Sequence, residues 1–150
     1  MRIALKYGLL ITLGVIAWTV IAHWLVPNPQ SVVHSLGALI FFNFVEIVGI
    51  YCGINASRNA SAGELSFKDG IKSGVAVAFV YAVSSCLFFL IEILVVGTKM
   101  LKGEQGAVVK PMWQVAVGAF AGLFIFAIFL GLIYSTVISF FFAKRRGLMR

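Results

Sequence analysis

Glu46 is the first residue in this chain whose type and position could do chemistry. It lies in the apolar run 32–54, where the other strongly polar interior residue is Asn43. At about 100° per residue the two share one face of a helix, one turn apart. In hydrocarbon a charge at such a depth costs at least about 2.5–3.5 kcal/mol. The carboxyl must therefore be protonated, paired or turned toward water. Two readings follow. Glu46 is a proton or cation site, or it is a protonated carboxyl satisfied by Asn43 and a hydroxyl such as Thr12 or Tyr81. Glu92 lies one turn from the end of its own run. Its side chain could reach the interface and meet Lys99 or Lys102.

The remaining reactive side chains are weaker candidates. His23 and His34 flank Pro27-Asn28-Pro29 without a third ligand at metal spacing, so neither metal nor another cofactor is expected. Cys52 and Cys86 fall at different depths of their runs, which disfavours a disulfide, and both read as small apolar residues. The chain has no H-E-x-x-H, G-x-S-x-G, Walker A or G-x-G-x-x-G motif. A non-enzymatic protein is the expectation.

The elements that must position these groups follow from composition. Of 150 residues, 61% are hydrophobic and 11% charged, with a mean hydropathy of +1.05. A soluble domain is about 45–50% apolar and about 25% charged, and a fold of this length buries only about 68–70% of its unfolded surface. A soluble monomer is excluded, and so is a disordered chain. Four apolar stretches reach the roughly 20 residues needed to cross a bilayer: 8–26, 32–54, 71–96 and 113–143. They do not alternate as barrel strands would. The expected fold is an all-α integral membrane protein, one domain of four transmembrane helices in a compact bundle. The N-terminal run lacks a small-x-small cleavage site and reads as a retained helix. The fourth stretch exceeds the bilayer core, so its last turns, 139–143, are expected to emerge among headgroups.

Charge gives a direction. Four spans place both termini and the central loop, which carries Arg58, Lys68 and Lys72, on one side with nine of the 12 Lys and Arg, against three on the other. Positive residues collect on the cytoplasmic side, so both termini are expected to be cytoplasmic. Lys144, Arg145 and Arg146 directly follow a span, where anionic headgroups would contact them. No basic face with interleaved aromatics suggests nucleic acid.

Small and polar residues recur at helical spacing and are expected to face the bundle interior. They are Gly8, Thr12, Ile16, Thr19 and His23 in the first helix, and Ser35, Leu39, Phe42, Asn43, Glu46, Gly49 and Gly53 in the second. The third aligns Gly74, Ala78, Tyr81, Ser85, Phe88 and Glu92, and the fourth Gly118, Gly122, Ile125 and Phe129. Gly49-x-x-x-Gly53, Gly74-x-x-x-Ala78 and Gly118-x-x-x-Gly122 are patterns that let helix backbones approach closely. Ser66, followed at the third position by Asp69, reads as the N-cap of the third helix.

The stretch Gly53-Ile54-Asn55, Arg58 and Leu65-Ser66-Phe67-Lys68-Asp69-Gly70-Ile71-Lys72-Ser73-Gly74 carries a resemblance, together with Lys6-Tyr7-Gly8-Leu9 and Lys144-Arg145-Arg146. In these residues, and over nearly its whole length, the chain resembles a bacterial family of small four-helix membrane proteins catalogued as domain of unknown function 4199. The resemblance implies a four-helix fold in the inner membrane and assigns no catalytic residue. The expected function is a membrane component or accessory subunit, with the lipid bilayer and a homo-oligomer or larger complex as partners. The alternative is a proton- or ion-coupled permeation unit built on Glu46.

Overall fold

The computed structural model describes residues 1–25, 32–61, 63–96 and 112–147. They form four helices: α1 (Arg2–Leu25), α2 (Val32–Ala60), α3 (Phe67–Val96) and α4 (Met112–Gly147). All four contain segments long and apolar enough to span a membrane. In lipid every backbone N–H and C=O must be satisfied internally, and a continuous helix does this within each span. None of the described helices contains a proline, the three standing at positions 27, 29 and 111 of the sequence.

The helices outrun the apolar stretches that betray them. α1 starts at Arg2, α3 at Phe67, and α4 continues to Gly147. Hydrogen bonding along the backbone does not stop where hydropathy falls. α4 is an unbroken 36-residue helix, about 54 Å long at about 1.5 Å per residue. Its 139–143 turn remains packed on the protein: Ser139 is buried and Phe142 packs against the core. The early start of α3 is what meets it.

α2 and α3 form the centre, each touching all three other helices. α1 and α4 lie on opposite sides and do not meet among the described residues. The core is Ile11, Ile50, Ile54, Val77, Ala78 and Tyr81, at the junction of α1, α2 and α3. Outward faces carry large apolar residues such as Ile40, Phe44, Ile91, Ile125 and Phe141, as lipid contact requires.

The tightest seam joins α3 to α4. Gly70, Gly74 and Ala78 stand on α3 one turn apart, against Ser139, Ser135 and Gly131 on α4. A Cβ on Gly70 would lie 2.9 Å from Ser139 Cβ, and one on Gly74 would lie 2.7 Å from Ser135 Cβ. A Cβ on Gly131 would collide with that of Ala78. Gly8 similarly receives Val80, and Gly53 receives Val77 at 2.7 Å, while Gly49 receives Ile11.

This seam corrects the expected inner face of α4. Gly118 and Gly122 are exposed and have open space where a Cβ would stand. Ile125 and Phe129 are 67% and 59% exposed. The packing stripe is instead Ala127, Gly131, Ser135 and Ser139, every fourth residue. Of its two hydroxyls, Ser135 Oγ donates to the Gly131 carbonyl at 2.5 Å, while the buried Ser139 Oγ meets no hydrogen-bond partner among the described residues. Gly74 and Ala78 do pack as expected; Gly118 and Gly122 do not pack within this bundle.

The segment between α2 and α3 is short and locally determined. The Gly63 N–H bonds the Arg58 carbonyl at 3.0 Å, and Gly63 holds φ at +82°, a region glycine enters without strain. The Asp69 N–H donates to Ser66 Oγ at 3.1 Å, and the Ser66 hydroxyl donates to the Asp69 carboxylate at 2.6 Å. The cap read from sequence is present.

Candidate functional site

Three helices position the carboxyl. Glu46 on α2 is 3% exposed. Its Oε1 would lie 3.5 Å from a Cβ on Gly131 of α4, the residue that admits Ala78 of α3. Tyr81 on α3 and Tyr134 on α4 lie within electrostatic range of it. Glu46 Oε1 is buried and meets no hydrogen-bond donor among the described residues.

The partners expected for Glu46 are engaged elsewhere. Asn43 Nδ2 donates to the Leu39 carbonyl at 2.7 Å, and the Tyr134 hydroxyl donates to Asn43 Oδ1 at 2.5 Å. Thr12 Oγ1 shares a 2.6 Å hydrogen bond with Ser84 Oγ and donates to the Gly8 carbonyl. Thr12 therefore tethers α1 to α3. The expected Asn43–Glu46 and Thr12–Glu46 satisfaction does not form. The amide N–H goes to its own helix and the amide oxygen to a hydroxyl on α4, while Thr12 is held by Ser84 of α3. Tyr81 does stand near the carboxyl.

Tyr134 is the residue that sequence reading missed. It follows Gly131 by three positions, on the face that the Ala127-Gly131-Ser135-Ser139 spacing marks out. That spacing is the signal that could have found it. A further unexpected pair, Ser57 Oγ and Ser73 Oγ at 2.6 Å, ties α2 to α3 nearer the Arg58 end.

The other candidates separate from the site. Cys86 is buried, Cys52 is half-buried, and both thiols are free. Glu92 is half-buried near the far end of α3. The side chains of His23, His34, Lys144, Arg145 and Arg146, and residues 99, 102 and 110, lie outside the described set. Among the described residues no three His, Cys, Asp or Glu side chains gather to hold a metal ion.

What Glu46 can do chemically is limited and definite. A carboxyl with one oxygen lacking a donor can hold or release a proton, or accept a new donor. Beside it lies Gly131, where α4 receives Ala78 of α3, and Tyr81 and Tyr134 are within electrostatic range.

Fold and site together define a multi-pass helical membrane protein in contact with the lipid bilayer, with a carboxyl buried in its core. Residues 6–102, about two thirds of the chain, match the family described as protein of unknown function (DUF4199), and the chain belongs to that family. The matched region takes in Glu46, Asn43, Tyr81 and the Ser66 cap. It stops short of α4, so the closing Lys144-Arg145-Arg146 is outside the match. Comparison with curated proteins and with solved structures gives no match.

Proposed function

We propose that the protein is a non-enzymatic component of the bacterial inner membrane, with both termini cytoplasmic, that acts by associating with other membrane components. The observation that supports this is the contrast between interior and surface. Inside, the helices clasp through glycine–serine contacts, and hydroxyl pairs close on one another across the helices. Outside, the described helices present large apolar side chains. Such a molecule exerts its effect through what it touches in the bilayer. Purification from native membranes in mild detergent, with identification of co-purifying chains, tests the reading. A discrete assembly is expected, and a lone monomer would count against it. An alkaline-phosphatase fusion at Arg150 tests the orientation, which activity outside the cell would refute.

A second reading rests on Glu46. A buried carboxyl oxygen without a donor destabilises the bundle that holds it, and intramembrane carboxyls of this kind mark proton or ion steps. On this reading Glu46 is the protonatable group, and Tyr134, Asn43 and Tyr81 are its polar neighbours. Proton flux in liposomes that is unchanged by Glu46→Gln would exclude it.

A further inference from the structure

The geometry points to a binding site for one anionic phospholipid in the open groove between α2 and α4, at the end marked by Arg58. The groove holds about 250 Å³ and is lined by Tyr51, Ile138, Phe141 and Phe142. Tyr51 and Phe142 stack with ring centroids 5.4 Å apart, giving the groove an aromatic floor. The Arg58 guanidinium lies 5.5 Å above the Phe142 ring, and its Nε donates to the Gly63 carbonyl at 3.2 Å. The arginine is thus held in place at the mouth of the groove, beside the apolar lining.

Depth identifies the occupant. Arg58 follows Tyr51 by seven residues, about 10 Å along a helix. A guanidinium at headgroup level above an aromatic trough at acyl level matches a phospholipid in charge and in length. Phosphate is the group that a planar guanidinium recognises through paired N–H donors. The sequence adds Lys144, Arg145 and Arg146 directly after Ala143, so the same end is basic on α4 as well. The acyl chain lies along Tyr51, Ile138 and Phe141, and the phosphate sits on Arg58. Neither the orientation of the protein nor a role for Glu46 is needed for this assignment.

Native mass spectrometry of the full chain tests it, in detergent holding equal amounts of phosphatidylglycerol and phosphatidylcholine. The wild type should retain one phosphatidylglycerol, with about fivefold preference, as expected for one headgroup-level cation. Arg58→Gln should bring that preference close to one, and Arg58→Lys should restore most of it. Phe141→Ala removes an exposed groove wall, so it should lower retention of both lipids while keeping their ratio. Thermal unfolding of each variant verifies that it is folded. The proposal is overturned by equal retention of the two lipids, by preference surviving Arg58→Gln, or by retention indifferent to Phe141→Ala. Displacement by excess inorganic phosphate alone would show an ion site without an acyl seat, and would also overturn it. So would a dimer that excludes lipid and is lost in Phe141→Ala, since it would give the groove to a second copy.

Discussion

Gly131→Ala is the sharpest test of the α3–α4 seam. The new Cβ would collide with the Cβ of Ala78. Neither atom has a rotamer to turn away, because each is fixed by its backbone. Carbon atoms rest at about 3.5–4.0 Å, so the helices must part by on the order of 1 Å. That separation loosens Gly74 from Ser135 and Gly70 from Ser139 along the same seam. Overpacking of this kind costs about 1–3 kcal/mol, and the upper half of that range applies because no flexible side chain can absorb it. Gly118→Ala is the internal control: its Cβ enters open space, so stability should stay level or rise slightly. The partner test is Ala78→Gly in the Gly131→Ala background, which moves the single methyl from α3 to α4 and should recover most of the loss. Reversible unfolding in mixed detergent, followed by circular dichroism, gives the four free energies of the cycle. If Gly131→Ala and Gly118→Ala behave alike, or if Ala78→Gly brings no recovery, the seam does not run in this register.

Three further predictions use the same assay. Tyr134→Phe removes the hydrogen bond to Asn43 Oδ1 and should cost about 0.6 kcal/mol, the average for interhelical hydrogen bonds in bilayers; no loss would show that the amide finds another donor. Ser66→Ala deletes the N-cap of α3 and should cost about 1 kcal/mol, with faster amide exchange confined to the first turn of α3. Glu46→Leu replaces a carboxyl whose Oε1 lacks a donor with an apolar group of similar volume. It should stabilise the bundle by about 1–3 kcal/mol, and a net loss would mean the carboxyl supports the structure.

How much of this could be read from the sequence depended on whether a residue's environment is set locally. The Ser66 cap was legible because a hydroxyl three residues before a carboxylate can satisfy the helix start by itself. The four helices were legible because lipid permits no other use of long apolar runs, and prolines at 27, 29 and 111 mark two of the three breaks in the sequence. The face of α4 was not. In lipid, outward and inward faces are both apolar, so hydropathy does not choose between Gly118-x-x-x-Gly122 and Gly131-x-x-x-Ser135. Only the position of α3 decides, and that is a tertiary fact. The site failed for the same reason. Glu46 stood out as a carboxyl among apolar residues, but its neighbours depend on which helix arrives. Tyr134 belongs to the unread α4 face and engages the Asn43 amide oxygen, while the amide N–H goes to the Leu39 carbonyl. Thr12 was assigned to the right interior but the wrong partner, because α1 packs on the side of α3 that carries Ser84.

The carboxyl and the seam are one mechanical unit, because Gly131 serves both. The missing side chain at Gly131 lets Ala78 close on α4, and the same gap leaves Glu46 Oε1 beside it. Glu46 Oε1 thus sits beside the tight Gly131–Ala78 contact of α4 and α3, within electrostatic range of Tyr134 and Tyr81. Any event that draws a new donor or cation to the buried Oε1 must find room beside the Gly131–Ala78 contact. Room comes from moving α4 relative to α3. On the proton reading, a change at Glu46 is therefore transmitted as a change in seam width, which reaches Ser135–Gly74 and Ser139–Gly70 one and two turns further along. That end of the seam lies next to Phe142, Arg58 and the lipid groove. A variant that holds the seam apart, Gly131→Ala, should on this argument alter lipid retention at Arg58 although it lies several turns away. Gly118→Ala, on the same helix but off the seam, should leave retention unchanged.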